Sequence, residues 1–391
     1  MDIERVVAES EELRRELHRK AELAYEEYET AGTICRFLEK NGIEYEDEIA
    51  GTGVVAWISK GESGPSIAFR ADMDALPIDE ENDIGYSSVH PGIMHACGHD
   101  GHMAIMLGAA RLIKEELDFD GTVYFIFQPA EEGGAGAAKM IEEGLFEKFD
   151  IDRVYGLHNR PEARLGTFLI KDGPVMSSVD TWEITISGKS GHSSQPHRAI
   201  NPIVVASHIV LAIKSISSQD IDPSHSHVVT VAKIESGSAF NIIPDICRIE
   251  GSVRSFDTQT QDKIEKRMRE LAEGIASAFG AGVRLEYRRM YPATINSFTL
   301  NAKRAALAAG ASRVEEDFPS SMGSEDFSFF LRERPGCYVW LGTGDESQER
   351  VLHSSGYDFN DKAIEMGIKY WYNLAAIELG RDQQAQKRRE R

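Results

Sequence analysis

The stretch TVYFIFQPAEEGG, from Thr122 to Gly134, decides the fold. It opens as a short, largely apolar and aromatic run without the alternation of a half-exposed strand, which suits burial on both faces. Pro129 ends the run, and two adjacent carboxylates follow, Glu131 and Glu132. Upstream, residues 98–116 read as a helix, preceded by apolar strands at Gly53–Ser59 and Ser66–Arg70. Nearer the N-terminus, residues 2–20 and 30–41 read as amphipathic helices. Ile3, Val6, Val7, Leu13 and Leu17 form the apolar stripe of the first, and Gly42 is placed to cap the second. Downstream come a helix over about 134–144 and a strand at Arg153–Leu157. Strands alternating with helices indicate an α/β domain on a mostly parallel sheet, with helices on both faces.

After about residue 178 the pattern changes. VDTWEITISG alternates as a half-buried strand, and residues 200–217 read as a helix. Strands at His227–Ile234 and Asp245–Val253, a helix over 258–279 and a strand at Val283–Arg289 complete the series. That order, β-α-β-β-α-β, is the ferredoxin-like arrangement. It predicts an α+β domain at 179–294 inserted into a catalytic domain whose parts are 1–178 and 295–391. The returning chain reads as helix, the strand Gly336–Leu341, and a last helix over about 360–380.

A chain of 391 residues suits two or three domains and a core that needs no disulfides. Its 64 acidic residues outnumber 43 basic ones, for a net charge of -21. That balance speaks against nucleic acid or an anionic membrane as the main partner, since both need a basic face. The basic run Lys387-Arg388-Arg389 reads as a solvated tail. No apolar run approaches the roughly 20 residues of a membrane span. The N-terminus lacks the apolar stretch of a signal peptide, so the expected location is the cytoplasm. The four cysteines form no CxxC pair. Cys35, Cys247 and Cys337 sit among apolar residues as inert core thiols, whereas Cys97 lies between His95 and His99.

Five segments carry chemistry. MHACGHDGH, residues 94–102, gathers Cys97, His99, Asp100 and His102 where a helix begins. Thiolate, imidazole and carboxylate are ligands for borderline divalent metals, and burying them together without a cation is costly. His102 shares the face of His99 only if the helix has already begun. FQPAEEGG presents Glu131 and Glu132 at the end of a buried strand; one can bind metal while the other accepts a proton from water. RADMDALPI ends a strand in Asp72 and Asp74, and an acid behind a metal-binding histidine orients its ring. His158 closes the strand RVYGL, and His353 lies in VLHSSGYDFND.

In this order the motifs resemble the amidohydrolase branch of the aminoacylase and carboxypeptidase metallopeptidase superfamily. That branch includes N-acyl-L-amino acid amidohydrolases, hippurate hydrolases and indole-3-acetyl-amino acid hydrolases. The resemblance covers residues 10 to 380, and it implies a catalytic α/β domain with an inserted ferredoxin-like lid. It makes Cys97 the ligand that bridges two divalent ions, with His99 and His158 completing one site and Glu132 and His353 the other. Glu131 is implied as general base and Asp74 as the orienting acid. In the lid, His192 of SGKSGHSSQPH would polarise the scissile carbonyl; Asn241 of SAFNIIPD and Arg254 would hold the substrate carboxylate. GSEDFSFF, residues 323–330, matches a segment near the active-site wall. Asp72-Met73-Asp74 stands where peptidase branches have H-x-D, and Cys97 stands where they bridge with Asp.

The expected activity is binuclear metal-dependent hydrolysis of an N-acyl-L-amino acid by a homodimer or higher homo-oligomer, in which a lid histidine can serve the neighbouring chain. Manganese, zinc, cobalt and nickel all suit such a site. A dipeptidase or carboxypeptidase would use the same residues. Two other readings remain open: a thiol enzyme with Cys97 as nucleophile, and a metal-dependent binding protein with no catalysis.

Overall fold

A computed structural model describes residues 2–61, 64–345 and 350–380; the run Lys387–Arg389 lies outside the described residues. The chain divides into two compact units. One comprises Met1–Val175, Ile295–Pro319 and Asp326–Arg391, the other Met176–Thr294 and Ser320–Glu325.

The first unit is built on a sheet of eight strands among the described residues. Across it they run Glu44–Ile49, Gly53–Lys60, Gly121–Gln128, Ser66–Asp72, Arg153–Arg164, Gly336–Gly344, Thr167–Leu169 and Arg313–Glu315. The four from Gly121–Gln128 to Gly336–Gly344 are mutually parallel, and antiparallel pairs occur toward both edges. In the TVYFIF run Phe125, Ile126 and Phe127 are fully buried, while Thr122 and Tyr124 are half-buried.

Two connections define where a site can form. From Ser66–Asp72 the chain crosses through the helix His99–Glu116 to the neighbour on one side. From Gly121–Gln128 it passes through the helices Gly136–Glu142 and Leu145–Lys148 to Arg153–Arg164, on the other side. Right-handed crossovers in opposite directions put their helices on opposite faces of the sheet. They also open a crevice at the carboxyl ends of the strands between them. The helix His99–Glu116 is almost wholly buried, because it packs on the sheet and under the helices Ile3–Arg19 and Ile364–Leu379. Phe69 stacks on Trp371 in the same layer, with ring centroids 4.4 Å apart.

The strand Glu44–Ile49 was not expected. Its sequence, EYEDEI, is charged because it forms the sheet edge, where acidic side chains discourage further pairing. Thr167–Leu169 and Arg313–Glu315 span three residues each, too short for a period to register.

The second unit follows the order Val179–Ser187, Pro202–Gln219, His227–Ser236, Ile246–Ser255, Thr258–Ala278, Gly282–Tyr291. Its sheet order is His227–Ser236, Ile246–Ser255, Val179–Ser187, Gly282–Tyr291, with all pairs antiparallel. This is the ferredoxin-like fold. Ile184, Ile186 and Ile249 pack against Ile209, Ile213, Ile264 and Met268 of its two helices.

Two expectations need correction. The helix Pro202–Gln219 is long and apolar enough to cross a membrane by length and composition, although no such run was expected. Its Ser207, His208, Lys214 and Ser215 obscure that in the sequence. Val205, Ile209, Ile213 and Ile216 are buried in the core of this unit, while Ile203, Val204 and Leu211 are exposed. Ser320–Glu325 was expected with the 295–391 part and belongs instead to the second unit. The Ser177 N–H donates to the carbonyls of Ser321 and Gly323, both at 3.0 Å, and Arg254 donates to Ser324 Oγ at 3.2 Å.

Candidate metal centre

The crevice of the first unit collects side chains from five segments. Asp72 ends one strand and Asp74 follows it; Glu131 and Glu132 follow the next strand. His158 lies two residues beyond Gly156, the last residue of its strand to pair with Ser66–Asp72. Cys97 and His99 flank Gly98, which turns the chain into the helix at a φ of 91°. A Cβ there would lie 2.5 Å from Asn159 Oδ1, so only glycine fits. The helix begins at His99, which meets the condition for His102 to share its face.

These residues converge. Cys97 Sγ lies 3.4 Å from His158 Nε2. Ligand atoms of Cys97, His99 and Glu132 lie within 4.8 Å of one another. Glu132 Oε1 is 3.1 Å from His353 Nε2, and the His353 backbone N–H donates to Ala96 O at 2.8 Å. Cys97, His99, Glu132, His158 and His353 therefore form one continuous cluster. Glu131 is buried beside Glu132, and His353 is the most exposed of the five, at 52% of its side chain.

The electrostatics suit a cation. Burial pushes the Cys97 thiol well up. Burial would lower His99, but the charges of Asp72 and Cys97 outweigh it and raise that histidine. Burial would raise Glu132, but the His353 hydrogen bond and the positive charge of His99 hold it below the usual range. His99 Nε2 is buried with no hydrogen-bond partner among the described residues. An orphaned imidazole nitrogen amid thiol, imidazole and carboxylate fits a divalent metal, which supplies the missing partner.

Asp74 meets a ring through its backbone and the turn of Glu131 and Glu132 through its carboxylate. His99 Nδ1 donates to the backbone oxygen of Asp74 at 2.8 Å, so the main chain holds the imidazole and leaves Nε2 free to bind. The Asp74 carboxylate accepts the N–H groups of Glu131 and Glu132, at 3.0 and 2.9 Å. Asp72 is no free ligand either. It accepts Arg70 at 2.8 Å and His102 Nδ1 at 2.6 Å. Burial would raise Asp72, but His99, Arg70 and His102 hold it well below the carboxylate range. Arg70 also donates to Asp326 at 2.9 Å and Gln128 at 2.7 Å. This buried strut had one signal in the sequence, the acid inside GSEDFSFF. Arg70, Gln128 and Asn159 carried none that set them apart.

Within the second unit, His192 and Asn241 are neighbours. His192 pairs in register with Ile242, and Ser193 N–H donates to Asn241 O at 3.1 Å. His192 is exposed, and its Nδ1 accepts Ser194 N–H at 3.1 Å, which leaves the proton on Nε2. Arg254 stands apart from this pair. It lies eight residues along the strand from Ile246, which pairs with Ser187 near the His192 loop, so roughly 25 Å of strand lies between Arg254 and Ile246.

The comparisons agree with this architecture. An N-acetylcysteine deacetylase of Bacillus subtilis is 39% identical over 371 residues, covering 94% of this chain and 96% of its own. A hippurate hydrolase of Campylobacter jejuni is 39% identical over 370 residues, with the same coverage of 94% and 96%. The YXEP protein of Bacillus subtilis, described as a dinuclear metal binding peptidase of the M20 family, superposes with a TM-score of 0.84 at 36% identity, covering 96% of this chain and 98% of its own. The family profile matches residues 68–377, a span that includes the whole cluster from Asp72 to His353, and the chain belongs to peptidase family M20/M25/M40.

Proposed function

We propose that the protein hydrolyses the amide bond of an N-acyl-L-amino acid, such as an N-acetyl or N-benzoyl derivative, to a carboxylic acid and a free amino acid. The observation that carries this reading is the meeting of five ligand-type side chains beside a further buried carboxylate, Glu131. Cys97, His99 and His158 would hold one divalent ion, and Cys97, Glu132 and His353 a second. Cys97 would belong to both sets, since it adjoins both groups. When bound, the ions polarise the substrate carbonyl and acidify water. Glu131 accepts the proton of the attacking water and passes it to the leaving amine nitrogen. His192 donates its Nε2–H to the carbonyl oxygen as charge develops, a contribution of about 2.7–4 kcal/mol per donor. Asn241 and Arg254 bind the substrate carboxylate, one from each protomer of a dimer, because they stand at distant points of one chain. The enzyme works as a cytoplasmic homodimer, and manganese, zinc, cobalt or nickel would serve. A thiol mechanism is disfavoured because burial raises Cys97, and a buried thiol is a poor nucleophile.

The test is a substrate panel on purified protein with its metal content measured. N-acyl amino acids should be cleaved, activity should vanish on chelation, and a divalent ion should restore it. Cleavage confined to unblocked dipeptides would make it a dipeptidase. Activity that survives metal removal and dies on alkylation would make Cys97 the nucleophile.

A further inference from the structure

The chain just before the helix Tyr28–Lys40 touches both acid-bearing turns of the crevice. Leu23 bridges Ala75 in parallel register, and the Ala75 N–H donates to Glu22 O at 2.7 Å. The Tyr25 hydroxyl donates to Gly134 O at 2.7 Å. Glu27, fully buried, reaches the turn itself. Its Oε1 accepts the backbone N–H of Ala130 at 2.9 Å, and its Oε2 accepts the Thr52 hydroxyl. The next two backbone N–H groups, those of Glu131 and Glu132, end on the two oxygens of Asp74. Three successive N–H groups are thus taken by carboxylates from two segments distant in sequence.

This arrangement bears on the backbone. Ala130 has a φ of 56°, the left-handed region that a residue with a Cβ enters at a cost. Such a conformation persists only where its surroundings over-determine it. Ala130 is held at both ends, for its carbonyl accepts the N–H of Gly136 at 3.1 Å. Its φ sets the direction of the residue that follows, Glu131. Asp74 holds the far side of that turn and Glu27 the near side.

We propose that Glu27 is a positioning residue for Glu131: by keeping Ala130 left-handed, it aims the carboxylate that moves the proton. Among the described residues Glu27 has no hydrogen bond to the proposed ligand side chains, and on this proposal it does not meet the substrate. The inference rests on Glu131 being the base of the proposed function. The rival account makes Glu27 a core anchor, whose loss lowers stability and leaves the chemistry unchanged.

Glu27→Gln and Glu27→Leu separate the two. Gln keeps an oxygen for the Ala130 N–H and an amide for Thr52; Leu keeps neither. Both are compared, metal-loaded, with the parent chain on the N-acyl amino acid that the parent cleaves best. The readouts are kcat, KM, metal content, Tm, and hydrogen exchange of the peptide spanning 128–136. Glu27→Leu should lose about ten- to hundredfold in kcat, as small misplacements of catalytic groups do, with KM and metal content within about twofold. Exchange at the turn should quicken, and Glu27→Gln should recover most of kcat. A Glu27→Leu chain with lowered Tm and undiminished kcat overturns the proposal. So does equal damage in the Gln and Leu variants, or metal loss that parallels the loss of activity. Should Glu27→Leu fail to fold, Thr52→Val removes one of the two donors to Glu27. It should quicken exchange and lower kcat a few-fold, and unchanged values in both overturn the proposal. A parent inactive on every N-acyl substrate would defeat the proposed function itself, a result distinct from an active parent whose Glu27 variants keep their kcat.

Discussion

His102 Nδ1 stands 2.6 Å from Asp72 Oδ1, so this histidine, although it lies among the ligand atoms, is tied to the protein. Its Nε2 is engaged by Asn159, whose side-chain oxygen is 2.6 Å away and whose backbone nitrogen is 3.0 Å away. The Asn159 carbonyl in turn accepts His158 Nδ1–H at 2.7 Å, which turns the lone pair of His158 Nε2 toward Cys97. On the proposed ligand set, His102 supports His158 without being a ligand itself. His102→Leu should weaken metal binding by about 10–100-fold, as loss of such supporting groups does. Competition with a chromogenic chelator measures this. Loss of one metal equivalent at saturating metal would show that His102 is itself a ligand.

Glu131 and Glu132 are adjacent yet differ in surroundings, since Glu132 faces His353. Glu131→Gln should keep both ions and substrate affinity while losing most of kcat, because only proton transfer is removed. Glu132→Gln should lower metal occupancy. Metal analysis beside kcat and KM decides, and the opposite pattern would exchange the two roles.

Metal loading should depend on pH. Burial raises the Cys97 thiol, while the Glu132 hydrogen bond raises His353 despite its partial burial. Groups with raised pKa hold protons in the empty site, and a cation binds the deprotonated forms. Loading therefore releases protons, and apparent affinity should climb as pH rises from 6 to 8. Cys97→Ser should weaken both ions together. Calorimetry in buffers of different ionisation enthalpy counts the protons; zero release would refute the assignment.

His18 offers a stability test away from the ligands. It is fully buried between Asp100, at 2.8 Å, and Glu80, at 3.1 Å. Burial lowers its pKa, yet these two partners push it up to about 9, against 6.5 when unperturbed. A pKa raised on folding stabilises fully below the unfolded value and is lost as pH rises through the folded one. The window is thus about pH 6.5 to 9, and the amount about 3 kcal/mol. The Tm of metal-free protein should fall across that window, and His18→Gln should flatten the fall. A parallel pH profile in the variant would remove His18 as the cause.

Arg254 lies roughly 25 Å along its strand from Ile246, the end that adjoins the His192 loop, farther than a small N-acyl amino acid spans. If Arg254 and His192 both act on substrate, they act on different molecules, and a two-fold dimer supplies two sites. Glu131→Ala and His192→Ala chains, each inactive alone, should recover part of the activity when mixed. Background activity despite proven subunit exchange would end the shared-site idea.

Patterns of short range were legible in the sequence. The alternation of strands and helices and the β-α-β-β-α-β order follow from apolar periodicity, which is local. Of the five side chains that cluster in the crevice, Cys97, His99 and Glu132 stood out in MHACGHDGH and AEEGG, because thiol, imidazole and paired carboxylates rarely crowd a buried run without a cation, whereas His158 and His353 were lone histidines. The charged edge strand Glu44–Ile49 was hidden because one face of an edge meets water, so its composition resembles a loop.

By itself, then, the sequence determined the two fold classes and the chemical character of the crevice, since both depend on residue types close in the chain. The tertiary structure alone decided which groups serve the ligands. Asp74 turned out to hold Glu131 and Glu132 by their backbone, Asp72 to hold His102, and Glu27 to hold Ala130. Each is a hydrogen bond between residues far apart in the chain, from 30 for Asp72–His102 to 103 for Glu27–Ala130. No local pattern encodes such a bond, because burial and the partner both come from how the strands are ordered across the sheet.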